Sequence, residues 1–240
     1  MKIISIINQK GGVGKTTTAL NLSTALRKKN KKILLVDLDP QCNLSNTVNA
    51  TAKNNIYDVL TGKISLSEAI EADFISSSPY MANLNNKTQF TIIKSKTDYD
   101  YIILDTPPSL GIITLNALSI SDNIIITTTA DAYSLQGINQ LITTILAIKQ
   151  KRNPNIKIKG ILLTRFIART VISKNVITLL EGLTKQLGTK VFNTKIRECI
   201  ALSIALREAQ MLNKDIFSYA RYSNGAFDYE KLAGEMLDEE

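Results

Sequence analysis

The first 41 residues read MKIISIINQKGGVGKTTTALNLSTALRKKNKKILLVDLDPQ, and this stretch indicates the fold. An apolar run at residues 2–7 predicts a strand, and apolar residues at helical spacing predict a helix over residues 15–29. A second apolar run follows at residues 33–36. Strand, helix and strand in this order, with strands that are apolar throughout, are typical of a parallel sheet covered on both faces by helices.

The same alternation continues towards the end of the chain. Further strands are predicted at about residues 101–104, 123–128, 156–163 and 190–192, and short helices at 56–60 and 66–70. A long helix is predicted over 135–149, with a core-facing stripe of Leu135, Ile138, Leu141, Ile142, Ile145 and Leu146. A last amphipathic helix is predicted over 225–237, with Phe227, Leu232 and Leu237 on its apolar face. We therefore expect a three-layer α/β fold with a mostly parallel, doubly wound sheet, in one domain spanning residues 1–240.

Composition excludes several classes of chemistry. The 240 residues contain no histidine, which removes Ser-His-Asp and Cys-His nucleophile systems and every metal site that needs imidazole. The two cysteines are too few for a disulfide framework or a four-thiolate zinc site. No apolar run approaches the length of about 18 residues that a membrane span needs. We expect a cytoplasmic protein.

The net charge of +8 is unevenly placed along the chain. Residues 1–148 carry +2, residues 149–221 carry +11 and residues 222–240 carry −5. Six of the seven arginines lie in the middle block, and the guanidinium group is well suited to binding phosphate. This clustering favours a polyanionic partner such as nucleic acid.

The chemistry is concentrated in KGGVGKTT, residues 10–17, between the first strand and the first helix. Glycines allow the backbone to approach a ligand closely, so that successive N–H groups point at phosphate oxygens, and the helix adds its positive N-terminal end. Lys15 can contact the β- and γ-phosphates and the Thr16 hydroxyl can ligate Mg²⁺. Thr17 can donate to the α-phosphate. We expect a P-loop NTPase fold that binds a nucleotide together with Mg²⁺.

The glycine loop resembles that of one superfamily. In the general loop G-x-x-x-x-G-K-[ST], the first glycine would fall at Gln9. The pattern is instead similar to the deviant Walker A loop, K-G-G-x-G-K-[ST], of the ParA/MinD superfamily. The resemblance implies that Lys10 reaches across a dimer interface to ATP held by a partner subunit, so that dimerisation depends on ATP. It implies a nucleotide site formed by Lys10, Gly11, Gly12, Val13, Gly14, Lys15, Thr16 and Thr17, with Lys10 and Lys15 also catalytic.

Acidic residues at strand ends complete the predicted site. Phosphoryl transfer to water needs Mg²⁺ and an attacking water held in line. Residues 37–41 read DLDPQ and end the second predicted strand, at the edge where open α/β sheets bind ligands. By resemblance to the ParA motif D-x-D-P-Q, Asp39 orients the water and Asp37 supports the loop and the Mg²⁺ shell. Asp105 matches the Walker B aspartate of the family, which holds Mg²⁺ through water.

The resemblance to ParA-type partition ATPases extends over nearly the whole chain, through residues 134–141, 164–170, 195–197, 207–210 and 223–229. It implies that the nucleotide base lies against residues 195–198, which includes Arg197. It also implies a function: Mg-ATP drives sandwich dimerisation and non-specific binding to double-stranded DNA. A centromere-binding ParB-type partner then stimulates hydrolysis, whose basal rate is weak, and the protein associates with the nucleoid.

The DNA contacts of the family cannot be transferred directly. Two arginines that chromosomal relatives use on DNA would fall near Ala205 and Asn224, and the segment between Ile196 and Arg207 is about four residues longer than usual. Other basic residues must therefore bind DNA. The candidates are Arg197, Arg207, Lys214 and Arg221.

Three alternatives remain open from the sequence. A MinD-like membrane-cycling ATPase would share the loop, but its last helix would be basic, whereas this chain ends EMLDEE; we expect no stable membrane association. A nitrogenase-like or cluster-carrier protein would need cysteine ligands at a dimer face, where Cys42 and Cys199 are not placed. A nucleotide-gated regulator, in which hydrolysis is incidental, would keep its function in an Asp39→Ala variant.

Overall fold

The computed structural model describes residues 1–50, 53–85, 88, 90–95, 97–131, 134–202 and 215–238, with the backbone alone at 134–136 and 186. Its centre is a six-stranded sheet in which every pairing is parallel. The strand order is β3-β2-β4-β1-β5-β6. The strands are β1 (Lys2–Ile7), β2 (Ile33–Asp37), β3 (Phe74–Ile75), β4 (Tyr101–Asp105), β5 (Asn123–Thr129) and β6 (Lys157–Thr164).

Helices connect the strands and cover both faces of the sheet, which confirms the predicted doubly wound α/β fold. Two 3₁₀ helices, Pro79–Asn83 and Phe90–Lys94, lie between β3 and β4. Among the described residues the helices are α1 (Lys15–Lys28), α2 (Asn43–Thr47), α3 (Ile56–Leu60), α4 (Leu66–Ala69), α5 (Ile112–Ile120), α6 (Ser134–Lys151), α7 (Val171–Leu187), α8 (Ile216–Tyr219) and α9 (Asn224–Leu237).

Alternate side chains of the strands enter cores on opposite faces. On one face Ile4 and Ile103 belong to a cluster with residues of α1 and α9, such as Leu22 and Leu232. On the other face, β2 and β4 pack against α3, α4 and α5, while β5 and β6 pack against α6 and α7. Burial on both faces explains why the strands are apolar throughout and not alternating.

Several local predictions differ from the structure. The two-residue strand β3 is too short to have a periodic signal. The strand predicted at 190–192 is a single parallel bridge between Val191 and Ile161. Leu146, predicted in the core, is 49% exposed, and Phe227 is 61% exposed. On α9, Tyr229 is buried in the core in place of Phe227.

No helix in the part of the chain that the structure describes is both long and apolar enough to cross a bilayer.

Candidate nucleotide-binding site

The loop between β1 and α1 has the geometry of an anion-binding cradle. Gly12 and Gly14 have φ angles of 72° and 80°, in a left-handed region that other residues rarely adopt. Gly14 is the N-cap of α1, and because it has no capping side chain, the first N–H groups of the helix are left for an anion. The Thr164 hydroxyl donates to the carbonyl oxygen of Val13 at 2.9 Å. The end of β6 therefore supports the loop from behind.

Lys15 is a buried cation inside this cradle. Its side chain belongs to a residue only 7% exposed, and its Nζ donates to the carbonyl oxygen of Lys10 at 3.1 Å. Burial lowers the pKa of Lys15, while the negative charges of Asp105 and Asp39 act in the opposite direction. A buried ammonium group beside these N–H groups suits a polyanionic ligand.

Lys10 lies at the rim of the loop, and its ammonium is bound within the same chain. Nζ of Lys10 lies 2.8 Å from Oδ2 of Asp131, with side chains 49% and 36% exposed. The backbone N–H of Lys10 donates to Oδ1 of Asn8 at 2.9 Å, and Nδ2 of Asn8 donates to the carbonyl oxygen of Thr127 at 2.6 Å. The end of β5 therefore positions both the backbone and the side chain of Lys10.

Two carboxylates meet at the carboxyl ends of neighbouring strands. The parallel register places Asp37 of β2 opposite Asp105 of β4, and both residues are fully buried. Oδ2 of Asp37 accepts from the N–H and the hydroxyl of Ser45 at 2.9 and 2.7 Å, and its Oδ1 accepts from the N–H of Asp39 at 3.0 Å. Burial raises the pKa of Asp37 to about 6, although the Ser45 hydrogen bonds oppose this rise.

Asp105 is the least satisfied polar group of the site. Neither carboxylate oxygen has a well-formed hydrogen bond among the residues described, although both are buried. Burial and then the charge of Asp37 raise the pKa of Asp105 well above its ordinary value, while the nearby Thr16 hydroxyl and Lys15 lower it. A buried carboxylate that its neighbours satisfy only in part indicates a cation that completes the site.

These oxygens fit Mg²⁺. This ion is usually held by one or two carboxylates together with substrate phosphates and water. In the described ranges no group of three or more acidic or cysteine side chains is placed to hold a metal alone, so phosphate oxygens would have to supply further ligands. Thr16 and Asp105 offer ligand atoms, whereas the oxygens of Asp37 already accept three hydrogen bonds. Asp37 is thus placed to support the segment that follows β2, which carries Asp39 and Ser45.

Asp39 lies beside these groups at the wall of a cleft. It is 7% exposed, and its Oδ1 accepts from the N–H of Gln41 at 3.0 Å. The cleft has a volume of about 590 Å³ and is also lined by Lys15 and Thr16. A carboxylate in this position can hold a water molecule near a phosphate bound in the loop.

The opposite wall of the cleft includes Arg197, which Asp228 of α9 holds in place. The Arg197 Nε lies 3.0 Å from Oδ2 of Asp228, and its Nη2 lies 2.7 Å from Oδ1. The Arg197 N–H donates to the same carboxylate at 2.9 Å, and this ion pair raises the pKa of Arg197. Tyr229 lies next in α9, and its hydroxyl is 3.2 Å from that of Thr18 in α1. Helix α9 therefore joins the two walls.

The structure brings together Asp39, residues 196–198 and most of the predicted loop around one cleft. Lys10 and Val13 do not line it, and Asp37 and Asp105 are fully buried. Sequence reasoning missed Asn8, Thr164, Asp131 and Asp228. Asn8 and Thr164 directly follow predicted strands, which was a usable signal. The pairing of Asp228 with Arg197 joins distant segments, and no local pattern could reveal it.

Two of the four candidate DNA-binding residues, Arg197 and Arg221, lie in the part of the chain that the structure describes. Arg207 and Lys214 lie outside the described residues. Arg221 is exposed, with its guanidinium carbon 5.7 Å from the ring centre of Tyr222, a residue that is 94% exposed. Arg197 is paired with Asp228 and lines the same cleft as the glycine loop; its place beside the base stays a prediction.

A glycine loop between β1 and α1, with carboxylates at the ends of β2 and β4, defines a P-loop nucleotide-binding protein. The family described as AAA domain matches residues 1–158. The chain is 37% identical to the sporulation initiation inhibitor protein Soj of Bacillus subtilis, over 98% of both chains. It is 35% identical to the chromosome partitioning protein ParA of Myxococcus xanthus, over 98% of this chain and 88% of that protein.

Solved structures agree with this assignment. The septum site-determining protein MinD of Pyrococcus horikoshii, complexed with Mg-ADP, matches with a TM-score of 0.78 and 25% identity, over 98% of this chain and 95% of that one. Cobyrinic acid a,c-diamide synthase of Mycobacterium smegmatis, with bound ADP and magnesium, matches with a TM-score of 0.80 and 25% identity, over 99% and 94%. The chain belongs to the AAA domain family and, within the ParA/MinD superfamily, to the ParA/Soj-type partition ATPases.

Proposed function

We propose that this protein is a DNA-partition ATPase whose DNA binding depends on ATP. Two copies close around two molecules of Mg-ATP, and the dimer binds double-stranded DNA without sequence preference. A centromere-binding ParB-type partner stimulates hydrolysis of ATP to ADP and phosphate, and the dimer then dissociates. Turnover is slow without this partner, and the protein acts in the cytoplasm on the nucleoid.

The observation that carries this proposal is the pair of lysines in one loop. Lys15 is buried in the cradle, where it can bind phosphate in its own subunit. Lys10 lies at the rim with its side chain 49% exposed, where a ligand from outside the cradle can reach it. A second subunit that carries its own nucleotide would supply such a ligand, since a triphosphate binds cations strongly.

The remaining residues suit hydrolysis. The N–H groups of the loop and Lys15 would bind the β- and γ-phosphates, and Thr16 and Asp105 would hold Mg²⁺. When bound, Mg²⁺ neutralises charge on the phosphate oxygens. Asp39 would orient the attacking water, and Asp37 would keep the segment that carries Asp39 in place through Ser45. The neighbours with bound ADP and magnesium support this assignment.

Retention on DNA tests the proposal. Protein is passed over immobilised double-stranded DNA of unrelated sequence with Mg²⁺ and ATP, with Mg²⁺ and ADP, or without nucleotide. We expect retention with ATP alone, and retention should fall steeply as salt rises because phosphate contacts release counterions. Lys10→Ala should bind ATP and lose retention.

Lys28→Ala is the matched control. Lys28 is also a half-exposed lysine in an ion pair, but it lies at the far end of α1 and contacts Glu230. This variant should be retained like the wild type. Equal retention with ATP, with ADP and without nucleotide would refute the proposal.

The structure offers a reason to prefer DNA over a membrane as the surface that this protein binds. A helix that lies on a bilayer needs a free apolar face and a basic polar face. Helix α9 buries Tyr229, Leu232 and Met236 against the core, and its Asp228 and Glu235 bind basic residues of the same chain. Sedimentation with anionic vesicles and ATP would detect the MinD-like alternative.

A further inference from the structure

Lys10 has a partner before any second subunit arrives. Its Nζ lies 2.8 Å from Oδ2 of Asp131, two residues beyond the end of β5. The Thr129 hydroxyl donates to the same carboxylate oxygen at 2.5 Å, and the Asp131 N–H donates to the carbonyl oxygen of Thr129 at 3.0 Å. The carboxylate is therefore fixed in the position where it accepts the lysine.

The rest of Lys10 is fixed by the same region. Its N–H donates to Asn8, Asn8 donates to the carbonyl oxygen of Thr127, and its own carbonyl oxygen accepts from Lys15. The lysine is thus held at its N–H, its carbonyl oxygen and its ammonium. The two side chains are therefore positioned more firmly than those of an isolated surface ion pair, because the end of β5 holds both partners.

The charge of Asp131 opposes the step proposed for Lys10. An ammonium that leaves Asp131 for the phosphates of a partner subunit gives up this ion pair. It also leaves behind a carboxylate that is only 36% exposed, close to where those phosphates would bind, and like charges at close range repel. Both effects favour the separated subunits.

On the basis of the proposed function, we propose that Asp131 is a positioning residue that retains Lys10 within its own subunit. It thereby sets how tightly two ATP-bound copies associate. Without this contact, Lys10 is available to the partner's nucleotide from the outset, and the dimer forms at lower protein concentration.

The expected size of the effect follows from the exposure of the pair. Each half-exposed ion pair of this kind has a modest strength, and two are broken when one dimer forms. Asp131→Asn should therefore lower the dissociation constant of the ATP-bound dimer about 2- to 30-fold. Asparagine keeps the shape of the side chain and an oxygen for the Thr129 hydroxyl, so the fold should be retained.

Sedimentation velocity over a range of protein concentrations, with Mg²⁺ and a non-hydrolysable ATP analogue, tests the proposal. Asp131→Asn should tighten the dimer, and Asp131→Glu, which restores the charge, should return it to about the wild-type value. Analogue binding measured at concentrations where the protein is monomeric should be unchanged, since Asp131 does not line the nucleotide cleft. A merely structural residue would alter that binding or the thermal stability as well.

Glu230→Gln is the matched control, because it removes the Lys28–Glu230 ion pair, whose side chains are 38% and 50% exposed. It should leave the dimer unchanged. If the wild type dimerises and Asp131→Asn dimerises equally or more weakly, Asp131 does not retain Lys10, while the proposed function stands. If Asp131→Asn proves unstable, Asp131→Ser should tighten the dimer in the same direction. A wild type that binds the analogue and stays monomeric would overturn both proposals.

Discussion

At the scale of single residues, Asp105 shows how a binding site can lower the stability of the folded protein. Removing a carboxylate from water without hydrogen bonds is unfavourable, and the folded state would be more stable with a neutral group there. Asp105 is fully buried and its oxygens lack well-formed hydrogen bonds within the described part of the chain. Such a group is explained by a ligand that binds it, at the expense of stability without the ligand.

Asp105→Asn should separate stability from activity. We expect the free energy of unfolding, measured by urea in the absence of nucleotide and Mg²⁺, to rise by about 1–3 kcal/mol because a buried charge is removed. Hydrolysis of ATP, measured as phosphate release, should fall about 100-fold or more.

Asp122→Asn is the control, because Asp122 lies at the opposite ends of the strands, directly before β5. Oδ2 of Asp122 accepts from the N–H of Ile3 at 2.7 Å. Asparagine replaces this charged acceptor with a weaker, neutral one, so the change should lower stability and leave hydrolysis unchanged. An Asp105→Asn protein that is less stable than the wild type would show that the carboxylate is satisfied after all.

At the scale of elements, Glu235 of α9 holds the segment that leads to Arg197. It accepts from the N–H groups of Asn193 and Thr194 at 2.7 and 2.8 Å, and from Nζ of Lys190 at 3.1 Å. Burial alone would raise the pKa of Glu235, but these hydrogen bonds outweigh it and hold the pKa below the ordinary 4.5. Glu235 therefore fixes the segment that leads to this wall of the cleft, while Asp228 holds Arg197 itself.

Glu235→Gln should destabilise the protein in a pH-dependent way. Because the folded state lowers this pKa, the stabilisation is complete above about pH 4.5 and is lost as the pH falls through the folded value. We expect the variant to lose about 1–3 kcal/mol in free energy of unfolding near neutral pH, and its difference from the wild type to shrink below about pH 4.5. Urea unfolding at several pH values measures this. Glu230→Gln, on the exposed side of α9, should show a much smaller loss at every pH.

The elements also show how far the sequence predicts the molecule. Continuous apolar runs predicted five of the strands, because a strand buried on both faces must be apolar. The apolar stripe predicts Leu146 in the core, but the neighbouring elements leave it 49% exposed. The loop and the carboxylates at strand ends were predictable because their chemistry is local. The pairs Arg197–Asp228 and Lys10–Asp131 join distant segments, and only the folded chain shows them.

At the scale of the whole molecule, part of the positive charge of residues 149–221 forms ion pairs within the same chain. Residues 149–221 carry +11 and residues 222–240 carry −5. Arg197 and Lys190 of the first segment bind Asp228 and Glu235 of α9. A net charge of +8 remains on the chain. A net positive charge would attract DNA whether or not nucleotide is bound, so under the proposed function the control by nucleotide would have to come from the dimer.

Whether hydrolysis releases the protein from DNA decides between a partition ATPase and a nucleotide-gated regulator. Asp39 lines the cleft and is held through Asp37, so Asp39→Asn should bind ATP, dimerise and be retained on DNA like the wild type. Without an oriented water its phosphate release should fall about 100-fold or more, and the protein should leave DNA more slowly by a similar factor after ATP is removed. Phosphate release and the decay of retained protein on a DNA surface measure both rates. If the variant hydrolyses slowly and leaves at the wild-type rate, hydrolysis does not reset this protein, and nucleotide exchange alone controls its time on DNA.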